Sequence, residues 1–273
     1  MVYVETCVVV FKLSKAKVTY LSWIFVHIYC LCVTNHAQAG SFVIGVEDIS
    51  YYPYFDFNSN QTTFSKAIFD QFAKENGHQI SYLPLPIRQF PKWLYEENID
   101  FKFPDNVRWQ ERNNGRQLRI HFSDEIVAMT AGTLVMPKNK DKDPSFFKTI
   151  GTITGFHPTL WVKQLEQGKV TIYEDSSAKI LVKHLVNGLI DGLDIDLAVA
   201  NVGLQNLHIQ QDLVFNENLP KQNYSYQIST VKYPEIIKQF NQWLVKRRDY
   251  IDSQKIKYGI LEHESRKATI VNQ

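Results

Sequence analysis

From Phe42 onward, short apolar runs alternate with segments of helical periodicity. FVIGV (42–46) is an unbroken apolar run that predicts a buried strand, and Phe64, Ala67, Ile68 and Phe72 then recur at helical spacing until Gly77, a helix stop. QISYL (79–83) predicts a second strand and RQFPKWLYEEN (88–98) a second helix. IDFKF (99–103) follows as a third strand, with Ile99, Phe101 and Phe103 on one face. A β-α-β-α-β order of this kind builds a parallel sheet covered by helices.

The same order starts again near Thr149. TIGTI (149–153) predicts a strand, Pro158 to Gln167 a helix, KVTIY (169–173) a strand and SAKILVKHLVNG (177–188) a helix closed by Gly188. LIDGLDI (189–195) is then a strand, and a further helix runs over 196–203. Two such units make two lobes with a crevice between them, and ligands of open parallel sheets sit beyond the carboxyl ends of the strands.

AGTLVMPKN (131–139) and YSYQISTV (224–231) flank the second unit as strand-like segments, so the chain is expected to cross to the second lobe and return. YPEIIKQFNQWLVKRRDYI (233–251) would pack back on the first. The expected division is lobe 1 over 40–135 plus 226–273 and lobe 2 over 136–225, with a two-strand hinge able to close around a ligand.

The N-terminus changes the picture of where this happens. KLSKAKVTYLSWIFVHIYCLCVTNHAQA (12–39) carries lysines, then a mostly apolar run from Val18 to Val33, then Ala37-Gln38-Ala39, the order of a secretory signal peptide cut after Ala39. An uncleaved anchor would need about 20 apolar residues, and this run is shorter and holds Thr19, Ser22 and His27. Residues 1–11 have no role in such a signal, which implies a translation start downstream of Met1. Lipid attachment at Cys30 or Cys32 is disfavoured by the bulky residues before each. The expected destination is an oxidising compartment outside the cytoplasm. Cys7, Cys30 and Cys32 are the chain's three cysteines, so the exported part has no disulfide, thiol nucleophile or thiolate metal site.

Composition supports a large α/β body: 273 residues, 44% apolar and 13% aromatic, bury a substantial core. The net charge of +2 comes from the first 39 residues, since 27 of the 30 basic and 27 of the 28 acidic residues lie beyond them. A neutral body argues against nucleic acid as a partner.

No phosphate loop, G-x-S-x-G elbow or paired-histidine metal motif is present, and His78, His121, His157, His184, His208 and His263 are scattered. No enzyme activity, cofactor or metal site is therefore expected. A calcium site at Asp191, Asp194 and Asp196 lacks a wrapping loop, because alternation puts Asp191 on one face and the other two on the opposite one. Asp196 stands where a strand meets a helix, facing the cleft. In ISYYPYFDF (49–57), Tyr51, Tyr52 and Tyr54 suit a pocket wall, while Phe55 and Phe57 read as loop packing. DNVRWQERNNGRQLRIHFSD (105–124) carries Arg108, Arg112 and Arg116 four apart, one helical face if the segment is helical, with Arg119 one turn further on.

The order of VIGVEDISYYPYF, IDFKF with the arginine-bearing segment and HFSD, IGTITGFH, NGLIDGLDIDLAVA, FNQWL and KYGI resembles the bacterial extracellular solute-binding proteins of family 3. These are polar amino-acid-binding periplasmic proteins of the type II, two-lobed fold. The resemblance covers essentially the whole chain after residue 39. It implies an arginine forked onto the ligand's α-carboxylate, an aspartate accepting its α-ammonium, aromatics over its side chain and a turn adding donors. By position these are Arg112 or Arg116, Asp196, Tyr51 and Tyr54, and Thr154, Gly155, Phe156 and His157.

Counting from Asp100 selects Arg112 and counting back from Phe122 selects Arg116. PDN (104–106) and FSKAIFD (64–70) depart from the family's pattern, which brings Asp105, Asn106 and Arg88 in as further pocket residues. The implied function is capture of a small polar, amino-acid-like solute by a monomer, for delivery to the permease of an ABC-type transporter. A ligand sensor for a signalling partner is an alternative. A small-acid dehydratase on the same fold, with Asp196 or Glu47 as general acid, is another.

Overall fold

The computed structural model describes residues 39–109 and 118–260. Its strands are β1 Ser41–Glu47, β2 Ser50–Tyr51, β3 Phe55–Asp56, β4 Gln79–Leu85, β5 Phe101–Asp105, β6 His121–Phe122, β7 Val127–Ala131, β8 Leu134–Val135, β9 Thr149–Ile153, β10 Thr171–Asp175, β11 Gly192–Asp194, β12 Val214–Phe215 and β13 Gln222–Thr230. The first sheet runs β4-β1-β5-β13-β6, with β7 on β13, and the second runs β10-β9-β11-β8-β12. In each, the central strands are parallel: β1 with β4 and β5, and β9 with β10 and β11. Both sheets belong to one compact unit that begins at Gly40.

The first sheet buries Phe42, Ile44 and Phe101 against Phe69 and Phe72 of α1 (Phe64–Asn76) and Ile237 and Phe240 of α5 (Pro234–Lys246), which returns to this sheet after β13. α1 ends on Gly77 at φ 72°, the left-handed conformation a helix C-terminus favours. In the second lobe, α2 is short (Val162–Glu166), and α3 (Ala178–Val186) packs on α4 (Leu197–Asn206). Trp161 is buried there and donates its indole N–H to Thr133 Oγ1 at 3.0 Å.

Two sequence expectations change. RQFPKWLYEEN is not an α-helix but part of a 3-10 segment, Ile87–Tyr95, because Pro91 removes a donor from its middle. AGTLVMPKN is not one strand: it breaks between β7 and β8 and ends in a 3-10 turn, Pro137–Asn139. The arginine-bearing segment opens with a single 3-10 turn, Val107–Trp109, while Arg112 and Arg116 lie outside the described residues.

α3 and α4 touch where Gly203 faces Val182: a Cβ on Gly203 would stand 2.8 Å from Val182 Cγ2 and 3.3 Å from its Cβ. A branched Val182 cannot swing away, so Gly203→Val should cost roughly 1–3 kcal/mol through overpacking. Thermal denaturation followed by circular dichroism is expected to show a Tm lowered by several degrees, with the folded spectrum unchanged.

Candidate functional site

Nearly every residue singled out from the sequence follows the carboxyl end of a parallel strand. Tyr51 and Tyr54 come after β1, Arg88 after β4, and Asp105 ends β5. Thr154, Gly155, Phe156 and His157 follow β9, and Asp196 follows β11. Two sheets whose parallel central strands converge at their carboxyl ends define one cleft.

Asp196 is the N-cap of α4, its Oδ1 accepting from the Ala198 N–H at 2.7 Å. Across the cleft, the Tyr54 hydroxyl donates to that same Oδ1 at 2.9 Å, and the Asp196 N–H donates to the Tyr51 hydroxyl at 2.8 Å. All three residues are buried. The Tyr51 ring stacks on Tyr54 at 6.2 Å and meets Phe156 at 5.3 Å, so the first-lobe hairpin and the second-lobe turn share one aromatic contact. Burial first, then the nearby Asp196 charge, hold the Tyr54 phenol well above its ordinary pKa, and burial dominates for Tyr51 as well.

A second bridge joins the lobes at the rim, where Arg88 Nη2 lies 3.3 Å from Glu174 Oε2. The Gly155 N–H donates to the other oxygen of Glu174 at 3.4 Å. Gly155 has φ +89° and lies so close to Ile87 that a Cβ there would stand 3.2 Å from the Ile87 Cβ. The Arg88 side chain is 73% exposed, and an exposed pair of this kind contributes about 0–1 kcal/mol. The buried Tyr54 bond to the Asp196 carboxylate contributes about 1.5–3 kcal/mol and the neutral Tyr51 bond about 0.5–1.5 kcal/mol, so the tyrosines dominate the contact.

Below them, in the first lobe, lies a buried polar cluster. Asp105 accepts from the Lys102 ammonium at 3.0 Å, the Ser229 hydroxyl at 2.5 Å and the Asn106 N–H at 2.8 Å. Burial lowers the Lys102 pKa and raises that of Asp105, with their mutual attraction opposing both changes. Lys102 also sits 3.9 Å over the Phe90 ring. Asp105 therefore supports the cleft floor through its own neighbours.

Glu47, at the end of β1, is 5% exposed with its Oε2 unbonded, and burial pushes its pKa up to about 8 against the weaker pull of Lys102. Asp194 is likewise raised by burial to about 7. Tyr224 and Tyr226 of β13 sit among these acids, both with pKa raised by burial first. Trp109 packs on both, at 5.9 and 6.1 Å.

The outcome for the expected site residues is mixed. Tyr51, Tyr54, Phe156 and Asp196 are brought together, and Arg88 joins the second lobe. His157 and Thr154 are exposed. Tyr52 turns instead to Tyr258, at 6.3 Å, while Phe55 and Phe57 are core residues. Asp191 accepts from the Lys148 and Thr149 N–H groups at 2.8 and 2.9 Å, which ties β11 to β9. Among the described residues, no group of three or more metal-ligating side chains occurs.

Lys102, Trp109, Tyr224 and Tyr226 were not marked by the sequence. The alternation YSYQIS in a crossing strand is the one signal that places Tyr224 and Tyr226 on a common face.

No protein-family model matches the chain, and neither does any curated protein. Solved structures do match. An ancestral arginine-binding protein bound to arginine has TM-score 0.60 at 18% identity, over 81% of this chain and 99% of that one. An ancestral amino acid-binding protein, described as a precursor of cyclohexadienyl dehydratase, gives 0.59 at 20%, over 80% and 95%. The substrate-binding protein of an ABC uptake transporter from Streptococcus pneumoniae, with bound histidine, gives 0.59 at 15%, over 80% and 92%. The chain has the two-lobed α/β fold of these binding proteins.

The state of Glu47 is testable. An acid whose pKa is raised by folding is protonated in the native protein and ionised in the unfolded chain between the two values, so stability falls as pH rises from 4.5 to about 8. The loss is at most about 5 kcal/mol. Glu47→Gln should leave Tm nearly unchanged at pH 4.5 and raise it by several degrees at pH 8.5, as read by scanning calorimetry across that range.

Proposed function

We propose that the chain is an exported solute-binding protein whose lobes close on a small polar, amino-acid-like solute and present it to the permease of an ABC-type transporter. The observation that carries this reading is the meeting of Asp196 with Tyr51 and Tyr54. A capped carboxylate at a strand end of one lobe faces phenol groups after a strand end of the other. Such a site offers an acceptor for an ammonium group and aromatic faces for the atoms beside it.

The lobes are joined by two chain crossings that can bend together. The arginine-, histidine- and amino acid-binding proteins that share the fold support the same solute class. In this reading the first 39 residues direct export to the periplasm, the protein acts as a monomer, and it binds without turnover. Arg112 or Arg116 would supply the partner for the solute's carboxylate.

Thermal-shift measurements against amino acids, polyamines and organic acids test the proposal, because a ligand of the native state raises its apparent stability. At least one amino acid or close analogue is expected to raise Tm. Asp196→Asn keeps the helix cap and an oxygen for the Tyr54 hydroxyl while removing the charge, and should abolish that rise while lowering the Tm of the free protein by a few degrees at most. A rise unaltered in Asp196→Asn would remove Asp196 from the site.

A further inference from the structure

The groups that would hold a solute hold one another. Asp196 Oδ1 accepts from the Ala198 N–H within its own lobe and from the Tyr54 hydroxyl of the opposite one. The Asp196 N–H, beside the same carboxylate, is bonded to Tyr51. Both tyrosines are held rigidly. Tyr51 pairs with Phe55 across the β2–β3 hairpin, and the Tyr54 ring meets Tyr226 edge-on at 5.9 Å. The Tyr54 N–H donates to the Tyr51 carbonyl at 3.0 Å.

We propose that Tyr51 and Tyr54 form a latch that closes the cleft without any solute, with the Tyr54 hydroxyl standing on Asp196 where a solute's donor would otherwise stand. The latch is a property of the two lobes alone, and only the competition with solute rests on the function proposed above. It makes Tyr54 a determinant of affinity, because a solute donor approaching the same oxygen competes with its hydroxyl. Closure would then report less on occupancy than in a protein that stands open until it is filled.

The Asp196 amide reads this directly, since its bond crosses the cleft while that of Ala198 does not. The full chain is unfolded and refolded to strip bound solute, which mass spectrometry verifies, and residue-resolved hydrogen exchange is then recorded. The latch predicts that the Asp196 amide of the wild-type protein exchanges at least ~100-fold slower than an open amide. In Tyr51→Phe, which keeps the ring packing, that protection should fall at least ~10-fold while the amides of β9 keep theirs.

Open-amide exchange at Asp196 in the stripped wild-type protein overturns the latch, as does protection that Tyr51→Phe leaves intact. If the variant unfolds, the wild-type rate decides alone. No solute enters the measurement, so failure of the solute screen and failure of the latch are separate results.

Discussion

Everything in this molecule depends on a chain that crosses between two sheets twice and pairs with itself on the way. β7 runs antiparallel to the first half of β13, from Ala131 opposite Gln222 to Val127 opposite Tyr226. β8 then starts in the second sheet, and the remainder of β13 enters the first sheet beside β5 and β6. The pairing satisfies backbone groups that would otherwise be exposed between the lobes, and makes the two crossings bend as one. It also puts Tyr224 and Tyr226, residues of the crossing itself, at the floor of the cleft.

The cleft concentrates groups that burial discourages from ionising. Glu47 and Asp194 are raised toward neutrality, Lys102 and Asp105 neutralise each other, and the surrounding tyrosines stay protonated. In a low-dielectric setting, each remaining hydrogen bond counts for more than it would in water. That is why the two tyrosine bonds at Asp196 outweigh the more conspicuous Arg88–Glu174 pair, whose charges are solvated. The glycine at the second-lobe turn serves the same closure by letting the backbone approach Ile87.

Much of this was legible from residue patterns because strands and helices of parallel α/β lobes have strong periodicities. The alternation from Phe42 to Phe103 and from Thr149 to Gly203 located both sheets, and strand-end logic placed Asp196, Tyr51, Tyr54 and Arg88 around one cleft. Where long-range packing decided, the pattern failed. RQFPKWLYEEN has helical apolar spacing, yet Pro91 and the burial of Trp93 and Leu94 select a 3-10 path. The bonds of Asp105 to Lys102 and Ser229 had no local signal either, the latter lying 124 residues away. For Tyr51 and Tyr54 the pattern gave the place beside the cleft, while the bonds of their hydroxyls to Asp196, about 140 residues away, have no local signal.

The most direct test of the central claim is native mass spectrometry of the folded protein after incubation with a polar metabolite extract. A solute-binding protein is expected to retain one small polar molecule per chain, released on denaturation and absent from Asp196→Asn. A chain that carries no small-molecule adduct under these conditions would contradict the assignment of the cleft as a solute site.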